Sequence, residues 1–286
     1  MNRRLQEAAL IWLMRALTYT VVFAVGFIIL DIVWKGSPAL NWEFLSQFPR
    51  RSGAEGGILP AIFGTLSLLL GSSLIALPLG MASAIYLNEY ARHGRFTSII
   101  RMAIVTLAGV PSIVFGLFGL GLFVIFFKFG ASILAGSLTL ACMMLPTVIV
   151  SSEEALKTIP MSLREGSFAL GASKWQTIRT NVLPYAIPGM LTGAILGVGR
   201  VAGETAPILL TVAAFYLPRL PKSVFDQVMA LPYHLYVLAT QHPDATKVRP
   251  MQYGTALVLL LIVLSVNLGA ILLRGKIRKR YAKLES

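Results

Sequence analysis

Charge and cysteine are both scarce in this 286-residue chain. Asp, Glu, Lys and Arg together make up 13%, where soluble proteins carry about 25%. Set against 56% hydrophobic residues, that shortage excludes an ordinary water-soluble enzyme and a disordered chain. The one cysteine, Cys142, lies inside an apolar run, so no intrachain disulfide can form and cysteine usage says nothing about compartment. Three scattered histidines, His93, His234 and His242, show no metal-ligand spacing, and no metal is expected. No G-x-x-x-x-G-K-[ST] phosphate loop occurs, so nucleotide hydrolysis by that chemistry is excluded for this chain.

The apolar residues cluster into runs. A bilayer core of about 30 Å takes about 20 apolar helical residues to cross, and six segments qualify: 14–34, 58–87, 102–127, 130–151, 185–210 and 252–273. The first follows Arg3 and Arg4 like a signal peptide, but it is longer than a typical apolar region of one and no clear A-x-A site follows, so it reads as an uncleaved anchor. The expected fold class is all-α, a polytopic membrane protein with six transmembrane helices. Residues 1–57 form an anchor helix and outer loop, with an amphipathic patch at Trp42, Phe44 and Phe48, and residues 58–286 the remaining spans. A second outer loop, 211–251, carries Pro218, Pro221, Pro232 and Pro243.

The formal net charge of +13 would suit a nucleic-acid binder, but its distribution fits topology. Sixteen of the 25 Lys and Arg residues fall in the tails and in the loops after the second and fourth spans, eight fall on the other side, and Arg200 falls within a span. An excess of basic residues marks the cytoplasmic face. Both termini are therefore expected inside the cell, and no nucleic-acid partner is expected.

Residues 152–184 carry helix punctuation instead of linker composition. Ser162 with Glu165 and Ser173 with Gln176 have capping-box spacing, and Gly171 lies between them, where a helix stop takes a residue that accepts positive φ. The pattern predicts two short helices and a tight turn. The first exposes Leu163, Phe168, Ala169 and Leu170, a surface that suits docking into a partner's groove; the alternative is a loop lying on its own bundle.

The fifth span reads PYAIPGMLTGAILGVGRVAGETAPILLT. Gly189, Gly193 and Gly197 form a small-residue stripe for close helix contact, and Arg200 and Glu204 continue its spacing. Counted from Tyr185 at about 1.5 Å per residue, Arg200 lies about 22 Å into the span. An intramembrane Arg faces protein or water and is functional by default; the alternative is a self-neutralising Arg200–Glu204 pair that fixes helix register. Pro111, with Gly109, Gly116, Gly119 and Gly121, weakens the third span, which could line a cavity. Ser112 there either offers a hydroxyl to an oxyanion or bonds its own helix carbonyl. The intramembrane ionisable groups Asp31, Arg200 and Glu204 contain no nucleophile–base set, so a membrane enzyme is disfavoured.

Two sets of motifs carry a resemblance. Glu165-Gly166-Ser167, then Gly171, then Leu183-Pro184 resembles the E-A-A-x3-G-x9-I-x-L-P loop of ABC importer permeases, with Gly166, Ser167 and Asn181 as departures. Arg200 with Gly203-Glu204-Thr205-Ala206-Pro207 resembles the R-x-x-G-E-T-A-P segment of phosphate ABC permeases of the PstA type, where sulfate and molybdate permeases tend to show G-E-F. Gly109 to Gly116, Met144-Leu145-Pro146 through Glu153-Glu154-Ala155-Leu156, and Gly56-Gly57-Ile58 resemble further segments of that family. The likeness runs from about residue 55 to the tail.

The resemblance implies a type I ABC importer permease fold over residues 58–286, with 152–184 as the coupling loop. It implies that Glu165, Gly166, Ser167, Gly171, Leu183 and Pro184 dock the ATPase, and that Arg200, Glu204, Ser112 and Thr205 line the substrate path. The implied partners are a second related permease in a heterodimer, two ATPase subunits holding ATP and Mg, and an extracytoplasmic phosphate-binding protein. No cofactor is expected in this chain. A permease for another oxyanion (sulfate, molybdate, phosphonate) and a phosphate-sensing membrane component remain alternatives.

The charge asymmetry generates a topology test. In intact cells an impermeant thiol label should reach Leu40→Cys and Phe225→Cys and miss Phe168→Cys. Labelling at 168 would overturn the six-span arrangement with inside termini.

Overall fold

Hydrophobic runs too long for a soluble helix become the long helices of the chain. The computed structural model describes residues 3–50, 55–92, 94–241 and 246–282; Arg51, His93, His242, Pro243 and Lys283 lie outside the described residues. Helix α1 (Arg3–Gly36) leads to a short α2 (Trp42–Ser46) and a two-residue hairpin of β1 (Pro49–Arg50) and β2 (Glu55–Gly56). Then follow α3 (Leu59–Ile85, continued by a π-helical turn Tyr86–Tyr90), α4 (Arg95–Ala108) and α5 (Ser112–Gly119, continued as a π-helix to Phe126). Helix α6 (Ile133–Lys157) leads to α7 (Met161–Ala169), α8 (Lys174–Thr177) and α9 (Leu183–Ala202). Three helices close the order: α10 (Ala206–Thr211), α11 (Leu231–Thr240) and α12 (Arg249–Ala282).

Five of these helices are long and apolar enough to cross a bilayer, and the bent pair α4–α5 makes a sixth crossing if counted as one span. The core sits where α3, α6 and α9 pack, around Leu68, Leu140, Met144 and Val201. Helix α1 is apolar on all sides and packs on α12, leaving Trp12, Phe23, Phe27 and Trp34 exposed, as suits a lipid-facing helix.

The glycine stripe packs on α6. A Cβ at Gly193 would collide with the Ser151 side chain, one at Gly189 would lie 2.7 Å from the Ala155 Cβ, and one at Gly197 3.0 Å from Met144. Dispersion between closely approached backbones drives such contacts in lipid, where no hydrophobic effect operates between helices.

Two expected single spans are broken. The third, expected over 102–127, starts at Arg95 and turns by 105° between α4 and α5. Pro111 donates no backbone bond and pushes the preceding residue out of helical conformation, so α4 ends with tightened turns from the Gly109 N–H to Thr106 O and from the Val110 N–H to Leu107 O. The fifth, expected over 185–210, stops at Ala202; Gly203, Glu204 and Thr205 are non-helical before α10 starts. Pro207 there has no N–H to donate back to Gly203, so α9 is not continued and α10 starts anew with the proline at its second position.

The segment expected as an outer loop, 211–251, folds back into the bundle. Carbonyls of Thr211, Asp226 and Val224 accept the N–H groups of Ser132, Ile133 and Leu134, satisfying the start of α6. The Asp226 carboxylate accepts the Lys222 and Ser223 N–H groups at 2.8 and 3.2 Å, and the Lys222 bond above all holds it below the usual carboxylate range. Helix α11 buries Leu231, Val237 and Leu238, and the Leu231 N–H donates to Thr65 Oγ1 on α3. Of the four prolines in this segment, Pro232 takes the second position of α11, where no helical donor is lost.

Overpacking the α6–α9 contact should cost about 1–3 kcal/mol. Gly193→Leu is expected to lower the thermal midpoint of the purified protein, while Gly269→Leu, at a position with no atom near the added Cβ, should leave it unchanged. Equal midpoints would refute the packing account.

Candidate translocation and coupling sites

The two helix breaks come together. Helix α5 packs on α10, and a Cβ at Gly116 would lie 3.0 Å from Pro207 Cα and 3.1 Å from the Ala206 carbonyl. Ser112 opens α5 one turn before Gly116, and Arg200, Glu204 and Thr205 occupy the end of α9 and the gap before α10. The four residues expected to line a path therefore all sit at or beside helix ends.

Arg200 and Glu204 are paired, but loosely. Arg200 Nε lies 3.6 Å from Glu204 Oε1, with side-chain exposures of 40% and 18%. The i, i+4 spacing suggested one helix face; instead Glu204 stands beyond the end of α9, and its contact with Arg200 spans the break. The glycine stripe is covered by α6 while Arg200 opens away from the chain's own helices. Glu204 turns toward a cavity of about 10 Å³ lined by Thr65, Leu140, Val201, Ile208 and Ala230, room for about one water.

Ser112 makes no side-chain hydrogen bond among the described residues. Of the two alternatives, the bond to its own helix carbonyl does not form, because Ser112 is the first residue of α5, directly after the Pro111 break. Its hydroxyl is half-buried and free. Thr205 precedes α10 without a side-chain cap bond.

Helices α7 and α8 form the second candidate surface. Gly171 turns the chain with φ +81°, a conformation that costs an ordinary L-residue about 1–2 kcal/mol. Ser173 and Gln176 exchange both capping-box bonds. The Ser162–Glu165 box does not form: α7 starts after Pro160, so Ser162 lies inside the helix and no side chain caps it. Ser167 Oγ and Thr177 Oγ1 lie 2.9 Å apart in the buried interior of the hairpin, so Ser167 faces inward. Glu165, Gly166, Leu163, Phe168, Ala169 and Leu170 are exposed, Leu170 by 90%. Glu165 makes no ion pair among the described residues. Leu183 and Pro184 begin α9, half-buried and apart from the exposed tip.

The composition-level reading counted Arg101 and Arg164 as topology charges and missed what they hold. Arg164 Nη2 lies 2.8 Å from Glu89 Oε1, and Arg101 Nε lies 2.8 Å from Glu153 Oε1. The side chains of Glu89 and Glu153 are only 7% and 8% exposed. With only 12 acidic residues in the chain, an acid at the end of an apolar run is a signal that could have flagged them.

Residues 76–283 match the model of the binding-protein-dependent transport system inner membrane component family. The chain belongs to that family. It is 36% identical over 267 residues to a probable phosphate transport system permease protein PstA of Methanocaldococcus jannaschii, covering 92% of each chain. It is 40% identical over 220 residues to the phosphate transport system permease protein PstA 1 of Mycobacterium tuberculosis strain CDC 1551 / Oshkosh, covering 77% of this chain and 71% of that one. In fold it is similar to a bacterial ABC transporter involved in the import of the acidic polysaccharide alginate, with a TM-score of 0.65 at 14% identity, covering 96% of this chain and 99% of that one. The fold is thus that of the membrane-spanning component of an ABC importer, and the protein is a multi-pass membrane protein.

Proposed function

We propose that this chain is the permease subunit of an ATP-driven phosphate importer. The observation that carries the reading is Arg200: a guanidinium at bilayer depth, 40% exposed on a side its own chain does not cover, and held by one contact of 3.6 Å. Lipid is a costly neighbour for that charge, so the open side is read as a water path shared with a second, related permease. The relatives named for phosphate transport supply the substrate. Two cytoplasmic ATPase subunits, holding ATP and Mg, take the hairpin of α7 and α8 in their clefts, and an extracytoplasmic phosphate-binding protein loads the path. Both termini lie in the cytoplasm. Hydrolysis belongs to the partner, and the chain carries no cofactor.

In this reading Arg200 attracts the anion, with the free Ser112 hydroxyl and Thr205 beside the path. Glu204 repels an anion and competes with it for Arg200, so phosphate is released instead of trapped. The long Arg200–Glu204 separation favours such an exchange over a pair that only fixes register.

Gly171→Val should strain the left-handed turn and loosen docking. The expected result is loss of ATPase stimulation in the assembled complex with normal membrane insertion; unchanged copurification and stimulation would remove the hairpin from coupling. At the path, Arg200→Gln should abolish phosphate uptake at matched membrane levels, and the Arg200→Gln/Glu204→Gln double variant should stay inactive. A purely structural pair would recover in the double variant, because no unpaired charge is left, and recovery would reject the transport role. ATPase stimulation by sulfate-loaded but not phosphate-loaded binding protein would reassign the substrate to another oxyanion.

A further inference from the structure

Two arginines on different helices grip the same turn. The π-helical turn Tyr86–Tyr90 ends α3, and such wide turns frequently mark functional sites. From α7, Arg164 binds the Glu89 carboxylate through Nη2 at 2.8 Å and Nε at 3.4 Å. It also donates from Nη2 to the Leu156 carbonyl in the last turn of α6 at 3.2 Å and from Nη1 to the Ile159 carbonyl just after that helix at 2.8 Å. From α4, Arg101 Nη2 donates to the Leu87 carbonyl at 2.8 Å, and its Nε stands 2.8 Å from Glu153 Oε1 on α6, off hydrogen-bond alignment and held by charge. Asn88 Nδ2 donates to Glu89 Oε1 at 2.9 Å. At the solvent edge Lys157 pairs with Glu154 at 2.8 Å and also stands 3.8 Å from Glu153 Oε1.

The geometry has a direction. Arg164 belongs to the hairpin with the exposed apolar tip, while Arg101 belongs to the arm that ends at the 105° break opening onto Ser112. They are linked through Glu89 and the Leu87 carbonyl on the turn and through Glu153 and the end of α6. Arg164 is nearly saturated, in a fork that a point charge cannot reproduce, and its carboxylate partner is buried. A displacement of the hairpin therefore pulls the π-turn and α6 with it, and Arg101 passes that movement to α4.

We propose that Arg164 and Arg101, through Glu89 and Glu153, are positioning residues that carry movement of the α7–α8 hairpin to the α4–α5 break beside the path. The proposal rests on the reading that a nucleotide-driven partner displaces the hairpin. It differs from a holding role in where its loss is felt: the hairpin still meets its partner, but the break no longer responds.

The test uses the assembled importer, with its ATPase subunits, in lipid nanodiscs. Amide hydrogen exchange is followed with and without ATP at the hairpin, 161–172, and at the break, 109–115. In the unaltered complex ATP should change exchange at both. In Glu89→Gln the hairpin response should persist and the break response should be lost. Arg164→Lys, which keeps the charge and removes the fork, should do the same and serves if Glu89→Gln does not assemble. The proposal is overturned if the break responds as in the unaltered complex, if both responses vanish together in both variants, or if ATP never alters the break. Phosphate uptake by the unaltered complex is measured separately, so a wrong substrate leaves this outcome readable.

Discussion

Hydrocarbon offers a backbone or a charge no hydrogen-bond partner, and this constraint shapes every irregular feature of the bundle. Where Pro111 and Pro207 interrupt helices, short local bonds take up backbone groups beside the break: α4 closes its last turn on itself, and the break after α9 is tightened by bonds from the Gly203 N–H to Arg200 O and the Glu204 N–H to Val201 O. The start of α6, which would otherwise present free donors, is capped by carbonyls of the returning 211–226 segment. The glycine contact of α9 with α6 fixes the helix whose end carries Arg200. Turns that close on themselves at each break, with α5 packed on α10 beside them, are what lets irregular backbone persist in this bundle.

Long helices were legible because length and apolar content are sufficient signals in a bilayer. Five of the six expected spans correspond to helices of membrane length, wholly or in their first part, and the hairpin turn at Gly171 follows from a residue that alone takes φ +81° without strain. Direction along and across helices was less legible. Periodicity put Arg200 and Glu204 on one continuous face, but it assumes an unbroken helix, and the Ala206-Pro207 step ends that assumption. The Ser162 box failed for a similar reason: Pro160 sets the start of α7 before Ser162 can cap it. Spacing proposes a cap or a face, while the neighbouring proline decides whether the frame exists.

The buried ion pairs were hidden for a different reason. Arg101 and Arg164 lie in loops whose positive charge has a sufficient topological explanation, and their partners are 52 and 75 residues distant in sequence. Only the tertiary arrangement brings Glu153 and Glu89 to them. Counting charge by side of the membrane is blind to which charges are used.

The contrast among the three arginines completes the physical picture. A buried guanidinium has five donors to satisfy. Arg164 spends its own on Glu89 and two carbonyls, which leaves little for a passing anion; Arg101 donates to the Leu87 carbonyl and is held beside Glu153 by charge, and both tie helices together. Arg200 has one partner at 3.6 Å and an open side. In the proposed path its unspent donors would meet oxyanion oxygens without first dismantling a network, and Glu204 would reclaim it afterwards. The same side chain thus serves as tether where its partners lie on another helix, as for Arg164 and Arg101, and as candidate ligand-binding group where its one partner is a loosely held acid four residues on; where the partner sits, more than depth or charge, separates the two roles.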